Sequence, residues 1–390
     1  MTREEVTKHI RESPKNNFLL ILPTGHGKTA QSLHIIKDKV ELQEQILIVI
    51  PRLVLIENWK EEFKKFNMEE YLPYTHFTTY NSLHKYNDYK WKTIIYDECH
   101  HISERCKEIV KTIIGEHNIF LSATVKPELQ YWINNIYSPE IVKINLRNAI
   151  DNEVLPDPKV ILIPLYLDSV FATEILKRES KDKKEWITCS YRDRWKYLKN
   201  YNCNIKCTPY QYNIEISNDI EYWKKRAMSS KFFKNKWLHL CGERLKWLSR
   251  QKDDIILKLL KQLKNYRTLT FCNSIEQTEI LGKYCINSKN KQSEEFLNMF
   301  NNKKIKHITS VNMLNEGMNL VDCKIGIYAC LNSSETLIKQ KTGRLLRHKE
   351  PIIIIPYYTN TREEELVKQM LENYNPELVS TVTKFEDIIL

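Results

Sequence analysis

The chain has 390 residues, which sets an expectation of two to three domains, each able to bury a core without disulfide or metal staples. Hydrophobic residues make up 42% and charged residues 28%, which excludes wholesale disorder, and no apolar run approaches the roughly 20 residues of a membrane span. Net charge is +11 and unevenly spread: residues 171–250 hold 19 Lys/Arg against 9 Asp/Glu, whereas the other 310 hold 41 against 40.

From residue 18 to about residue 142, short apolar runs alternate with polar, helix-like stretches. Strands are expected at 18–22, 46–50, 76–79, 93–96 and 119–121, with helices at 30–39 and 53–66. That alternation implies βαβ units and a parallel sheet covered on both faces. Residues 145–165 read as a connector, because Pro156, Pro158 and Pro164 discourage continuous helix. The basic block that follows reads as mostly helical and carries five of the eight tryptophans, Trp186, Trp195, Trp223, Trp237 and Trp247. From about residue 253 the α/β rhythm returns. Strands are expected at 268–272, 305–309, 325–329 and 352–356, and helices at 255–263, 274–284, from 336 and from 362. The expected division is therefore 1–144, 145–252 and 253–390.

The opening segment, MTREEVTKHI, carries charges where a secretory signal would carry its apolar core. The ten cysteines are scattered and form no C-x-x-C pair, the pattern of reduced thiols in a cytoplasm. Cys189, Cys203 and Cys207 form the tightest cluster, without the paired knuckles usual in a structural zinc site. A cytoplasmic protein without a membrane partner is expected.

Chemistry concentrates in two places. Pro23-Thr24-Gly25-His26-Gly27-Lys28-Thr29 stands where a buried strand gives way to a helix. Glycines let backbone N–H groups curl around an anion, and the helix N-terminus adds partial positive charge. Lys28 can reach the β- and γ-phosphates of a nucleotide, and the Thr29 hydroxyl can ligate Mg²⁺. Further on, Thr93-Ile94-Ile95-Tyr96 runs into Asp97 and Glu98. Acids at the carboxyl end of such a strand would lie beside the phosphate loop, Asp97 on Mg²⁺ and Glu98 on the attacking water.

With these two motifs the sequence resembles the DExH-type helicases and translocases of superfamily 2, and the match continues in family order. Ile50-Pro51-Arg52, with Trp59 downstream, resembles motif Ia, and the run from Thr78 and Thr79 to Leu83 resembles motif Ib. Asp97-Glu98-Cys99-His100 is motif II and Ser122-Ala123-Thr124 motif III. Residues 269–274 resemble motif IV, residues 314–320 with Gly317 resemble motif V, and Gln340-x-x-Gly343-Arg344-x-x-Arg347 is a full motif VI. The spelling and size are closest to phage and restriction-type DNA helicases.

The resemblance implies two RecA-like, doubly wound parallel-sheet domains with a basic, mostly helical accessory insertion. ATP and Mg²⁺ would lie between the domains, held by Thr24, Gly25, His26, Gly27, Lys28, Thr29, Asp97 and Gly317. Glu98, Gln340, Arg344 and Arg347 would act on the reaction, and His100, Ser122 and Thr124 would couple it to domain movement. Arg52 and Thr79 would touch nucleic acid. So would Lys224, Lys225, Arg226 and Lys231, a cluster interleaved with Trp223, Phe232 and Phe233, where cations neutralise phosphates and aromatics stack on bases. The alternative for those aromatics is a local core of their own. The expected activity is ATP-dependent movement on, or unwinding of, DNA by a protein monomeric on its own. An RNA helicase and an ATP-dependent clamp with little unwinding are the alternatives.

Overall fold

The computed structural model describes residues 1–178, 187–190, 203–311, 320–331, 345, 348–383 and 388. Its first α/β unit runs α1 (Arg3–Glu12), β1 (Phe18–Ile21), α2 (Lys28–Lys39), β2 (Ile46–Ile50), α3 (Leu55–Lys65), β3 (Thr75–Thr79), β4 (Trp91–Tyr96), α4 (Glu104–Thr112), β5 (Gly115–Ser122), α5 (Pro127–Tyr137) and β6 (Glu140–Lys143). The strands pair in the order β3-β2-β4-β5-β1-β6, all parallel. Continuous apolar runs such as FLLI and ILIVI belong in such a sheet because both faces are covered. Leu19, Ile21, Leu47, Val49, Ile94 and Tyr96 enter the core on one face. Leu20, Leu22, Ile46, Ile48, Ile50 and Ile95 enter it on the other. The order β4-β5-β1 has a direct consequence for chemistry, since the loops after these three strands emerge side by side at one carboxyl edge.

After α6 (Leu146–Asp151), β7 (Lys159–Leu165) joins a second parallel sheet. Its other strands are β11 (Thr268–Phe271), β12 (Cys285–Ile286), β13 (His307–Ser310), β14 (Ile325–Tyr328), β15 (Ile352–Tyr358) and β16 (Val379–Thr381), in the order β12-β13-β11-β14-β15-β7-β16. The second domain thus takes a strand from the stretch expected to be only a connector. Proline there forbids helix, but Pro164 sits near the end of β7, opposite Tyr357, where one missing N–H is tolerated.

The basic block is not mainly helical throughout. It opens with β8 (Glu174–Arg178), β9 (Ile187–Ser190) and β10 (Cys203–Cys207), β10 pairing antiparallel with β8 and parallel with β9. A helical hairpin follows, α7 (Pro209–Arg226) and α8 (Lys231–Arg250), packed against each other. Thr208 and Gln211 form a capping box that starts α7. The buried residues of α8 are Leu248 and Ser249, both in its last turn, so the hairpin is anchored at its foot. There Ser249 Oγ lies 2.9 Å from the Ala329 carbonyl and 2.8 Å from Gln277 Oε1, with its one proton to share between them, and Trp247 Nε1 donates to Glu174 at 3.0 Å. Immediately beyond, Lys252 is fully buried and pairs with the equally buried Glu363 at the start of α12 (Arg362–Leu371). No helix among the described residues is long and apolar enough to cross a membrane.

One buried group makes stability pH-dependent. His307 in β13 meets Thr270 Oγ1 through Nε2 at 3.1 Å, and burial pushes its imidazole from the ordinary 6.5 down to about 4. The unfolded chain therefore binds a proton in that window that the folded chain refuses, so stability falls as pH is lowered through it. The expected loss from this group is about 2 kcal/mol between about pH 7 and about pH 5. Urea unfolding at the two pH values checks it, because His307→Gln should show a loss smaller by that amount.

Candidate nucleotide site

The turn after β1 is shaped by two glycines. Gly25 and Gly27 have φ of 91° and 100°, a region that side chains with a Cβ enter only with strain. The loop thereby exposes its backbone just ahead of α2, whose first residues are Lys28 and Thr29. It is also held from behind. Arg3, in α1, donates to the Gly25 carbonyl at 2.8 Å and to the His26 carbonyl at 3.2 Å. Thr7 Oγ1 donates to Gln31 Oε1, and Gln31 Nε2 donates to the Arg3 carbonyl, which ties α1 to α2.

Thr24, Gly25, Gly27, Lys28 and Thr29 line a cleft of about 390 Å³, together with Trp59, Asp97 and Glu98. Lys28 Nζ lies 3.7 Å from Glu98 Oε1 and 3.4 Å from the Leu22 carbonyl. Asp97 accepts a hydrogen bond from Trp59 Nε1 at 3.1 Å, and its carbonyl accepts from the Tyr80 hydroxyl at 2.7 Å. Burial, and then the charge of Glu98, push the Asp97 carboxyl up to about 6 against the pull of Lys28. Glu98 itself has φ 49° and ψ 54°, a left-handed turn that swings its side chain away from the strand direction. Two adjoining carboxylates, the nearby Thr29, and the buried Thr24 hydroxyl without a hydrogen-bond partner form a set of hard oxygen donors of the kind Mg²⁺ takes.

The loop after β5 completes the edge. Ser122 Oγ donates to the Thr124 carbonyl at 2.7 Å, so its oxygen accepts from His100 Nδ1 at 3.0 Å. That arrangement assigns the ring proton to Nδ1, and the same nitrogen lies 3.4 Å from Glu98 Oε2. Glu98, His100, Ser122 and Thr124 thus form one connected polar path. Arg52 follows the end of β2 and Thr79 is the last residue of the adjacent strand β3, where it pairs with Ile50.

His26 differs from its expected place. Its side chain is fully buried and faces the depression between α1 and α2 rather than the cleft, and burial lowers its pKa. Lys224, Lys225, Arg226 and Lys231 are all exposed at the tip of the helical hairpin. Trp223 and Phe233 pack on each other with ring centroids 5.5 Å apart, while Phe232 is 69% exposed. Arg226 lies over the Tyr222 ring at 3.6 Å. Gly317, Gln340, Arg344 and Arg347 lie outside the described residues, as do the side chains of Cys189 and Cys203. Cys207 is buried with Leu176 and Ile205. Arg3 is the contributor that no local pattern announced, since it acts across a long sequence separation, whereas Tyr80 lies within the run that resembles motif Ib.

Residues 2–127 match the model of the type III restriction enzyme res subunit, and residues 251–349 match the helicase conserved C-terminal domain. The DNA 3′-5′ translocase XPB2 of Sulfurisphaera tokodaii is 21% identical over 354 residues, covering 85% of this chain and 75% of that protein. The chain belongs to the superfamily 2 helicases. As a superfamily 2 protein it is a nucleic-acid-dependent ATPase. Its fold is similar to that of two solved structures. S. cerevisiae Dbp5 bound to RNA and ADP BeF3 superposes with a TM-score of 0.62 at 9% identity, covering 98% of this chain and 89% of that one. A fragment of a putative HsdR subunit of a type I restriction enzyme from Vibrio vulnificus YJ016 gives 0.58 at 16% identity, covering 98% and 68%. The two α/β units are the RecA-like domains of this superfamily 2 helicase.

Proposed function

We propose that this protein is a DNA translocase or helicase that hydrolyses ATP at the cleft formed by Lys28, Thr29, Asp97 and Glu98. The observation that carries the reading is the convergence of Lys28, Asp97 and Glu98 from two non-adjacent segments on one cleft. Lys28 holds the β- and γ-phosphates, and Thr29 with Asp97 would hold Mg²⁺. The metal supplies charge neutralisation at the phosphates. Glu98 accepts the proton of the attacking water, and Trp59 keeps Asp97 oriented. His100, Ser122 and Thr124 link the state of Glu98 to the loop after β5. Gln340, Arg344 and Arg347 would act on charge developing at the transferring phosphoryl group, and Gly317 would help to bind the nucleotide. Closure and reopening of the domains then shift two grips on a strand.

DNA is favoured over RNA by the restriction-enzyme match and by the relative named as a DNA translocase. The likeness to Dbp5, solved with RNA, supports the RNA reading only at the level of fold. Stimulation of the ATPase by single-stranded DNA, duplex DNA, forked DNA and RNA, measured side by side, tests the choice. Greater stimulation by RNA than by any DNA overturns it. We place the activity in the cytoplasm, in keeping with the thiols of Cys99, Cys106, Cys207, Cys241, Cys285 and Cys323, which form no disulfide.

In this reading Arg52, Thr79 and the hairpin tip touch the strand. Charge reversal of Lys224, Lys225 and Lys231 should flatten the log–log salt dependence of DNA binding by about 0.7–0.9 for each phosphate that is no longer neutralised. An unaltered slope puts the tip away from the nucleic acid.

A further inference from the structure

A cavity of about 970 Å³ opens at the side of the helical hairpin, between α7, α8 and the start of α12. Four cations line it, Lys224, Arg244, Arg362 and Lys368, and three of them are matched on its own wall. Lys224 pairs with Glu221, Lys368 with Glu364 and Arg362 with Glu365. Arg244 is not matched in this way. It donates to Ser217 Oγ at 3.1 Å, has no carboxylate at ion-pair distance among the described residues, and keeps its buried Nε without an acceptor. Burial lowers its pKa, with the charge of Arg362 adding to the effect, while Glu365 opposes it. On the same wall Asn213 is only 7% exposed, and its amide oxygen is also buried without a hydrogen-bond partner.

Buried donors in folded proteins are nearly always satisfied, and an unmet guanidinium N–H is among the costliest to leave. The forked guanidinium of Arg matches an oxyanion through two parallel hydrogen bonds. The Asn213 amide, turned end for end, offers an N–H to the same guest. The wall carboxylates already have cationic partners, so the remaining charge favours an anion.

We propose that this cavity is an oxyanion site, in which Arg244 and Asn213 bind a phosphate group at the joint between the hairpin and the second domain. It shares no lining residue with the nucleotide cleft, so the inference does not rest on the nucleotide-site reading. The phosphate belongs either to a nucleic-acid backbone or to a small phosphorylated ligand.

Calorimetric titration of the full chain with pyrophosphate tests the site. Binding should survive Lys28→Ala, which empties the phosphate loop of its lysine, and weaken at least about tenfold in Arg244→Gln. Arg244→Lys keeps the charge but loses the fork and should fall between, which separates ligand loss from a folding defect, as does a melting curve on each variant. A single-stranded oligonucleotide that competes with pyrophosphate identifies the backbone as the source, and one that does not compete identifies a small ligand. Equal affinity in wild type and Arg244→Gln, loss of all binding in Lys28→Ala, or no binding in the wild type overturns the proposal.

Discussion

Glu98→Gln should bind nucleotide with near-normal affinity yet turn it over about 10²–10⁴-fold more slowly. The substitution keeps the size of the side chain and the left-handed turn at this position and removes only the base. Lys28 and Asp97, which in the proposed reading hold the ground state, are untouched, and the Trp59 hydrogen bond to Asp97 remains. Binding and chemistry therefore separate, as they do whenever a removed group acts only on the transition state. Lys28→Ala should fail at both, because in the proposed reading its ammonium, which lines the cleft, meets the phosphates directly. Nucleotide affinity and single-turnover rate on both variants check the pair. Near-normal hydrolysis by Glu98→Gln would remove the base from Glu98 and leave the carboxylate as a metal-side group.

The largest stability effect is expected at Lys252 and Glu363. Both side chains are essentially inaccessible, at 0% and 1% exposure. Lys252 Nζ also donates to the Pro356 carbonyl at 3.3 Å, and the second Glu363 oxygen accepts from the Tyr358 N–H at 3.0 Å. Lys252→Met leaves a buried carboxylate with no cation, a change expected to cost about 3–5 kcal/mol. The double variant Lys252→Met/Glu363→Gln removes both charges while keeping an acceptor for the Tyr358 N–H, and it should recover most of that loss. Urea unfolding of the two variants against the parent decides the matter. A single-variant cost below about 1 kcal/mol would mean that the pair behaves like one in solvent.

The first domain and its cleft are legible in the sequence because their signals are local. FLLI followed by a glycine turn, and TIIY followed by two acids, each combine a buried strand with chemistry at its carboxyl end. Such sites depart from ordinary packing rules within a few residues, so the departure can be seen in the sequence itself. Arg3 gives no such signal, because its bond to Gly25 depends on how α1 folds back across the sheet edge. The segment 159–165 is hidden for a different reason. Its prolines exclude helix, but a strand tolerates a terminal proline, and KVILIPL is strand-like. In the basic block the abundance of Lys and Arg masks the short strands β8 and β10, whose apolar positions are too few to give a clear alternation. The unmatched Arg244 is equally invisible, since a missing partner is a property of three dimensions.

The hairpin's mechanics follow from where it is fixed. Its second helix has 20 residues, about 30 Å end to end, and its fully buried residues lie in its last turn. A rotation of roughly 6° at the Trp247–Lys252 foot displaces the tip by about 3 Å, close to the roughly 3.4 Å spacing of nucleotides along one strand. A change at the foot too small to disturb the core is thus geared up to the length of one nucleotide step at the far end. In the proposed reading, in which the tip touches the strand, the stiffness of the hairpin sets how much of the angular movement is delivered as travel.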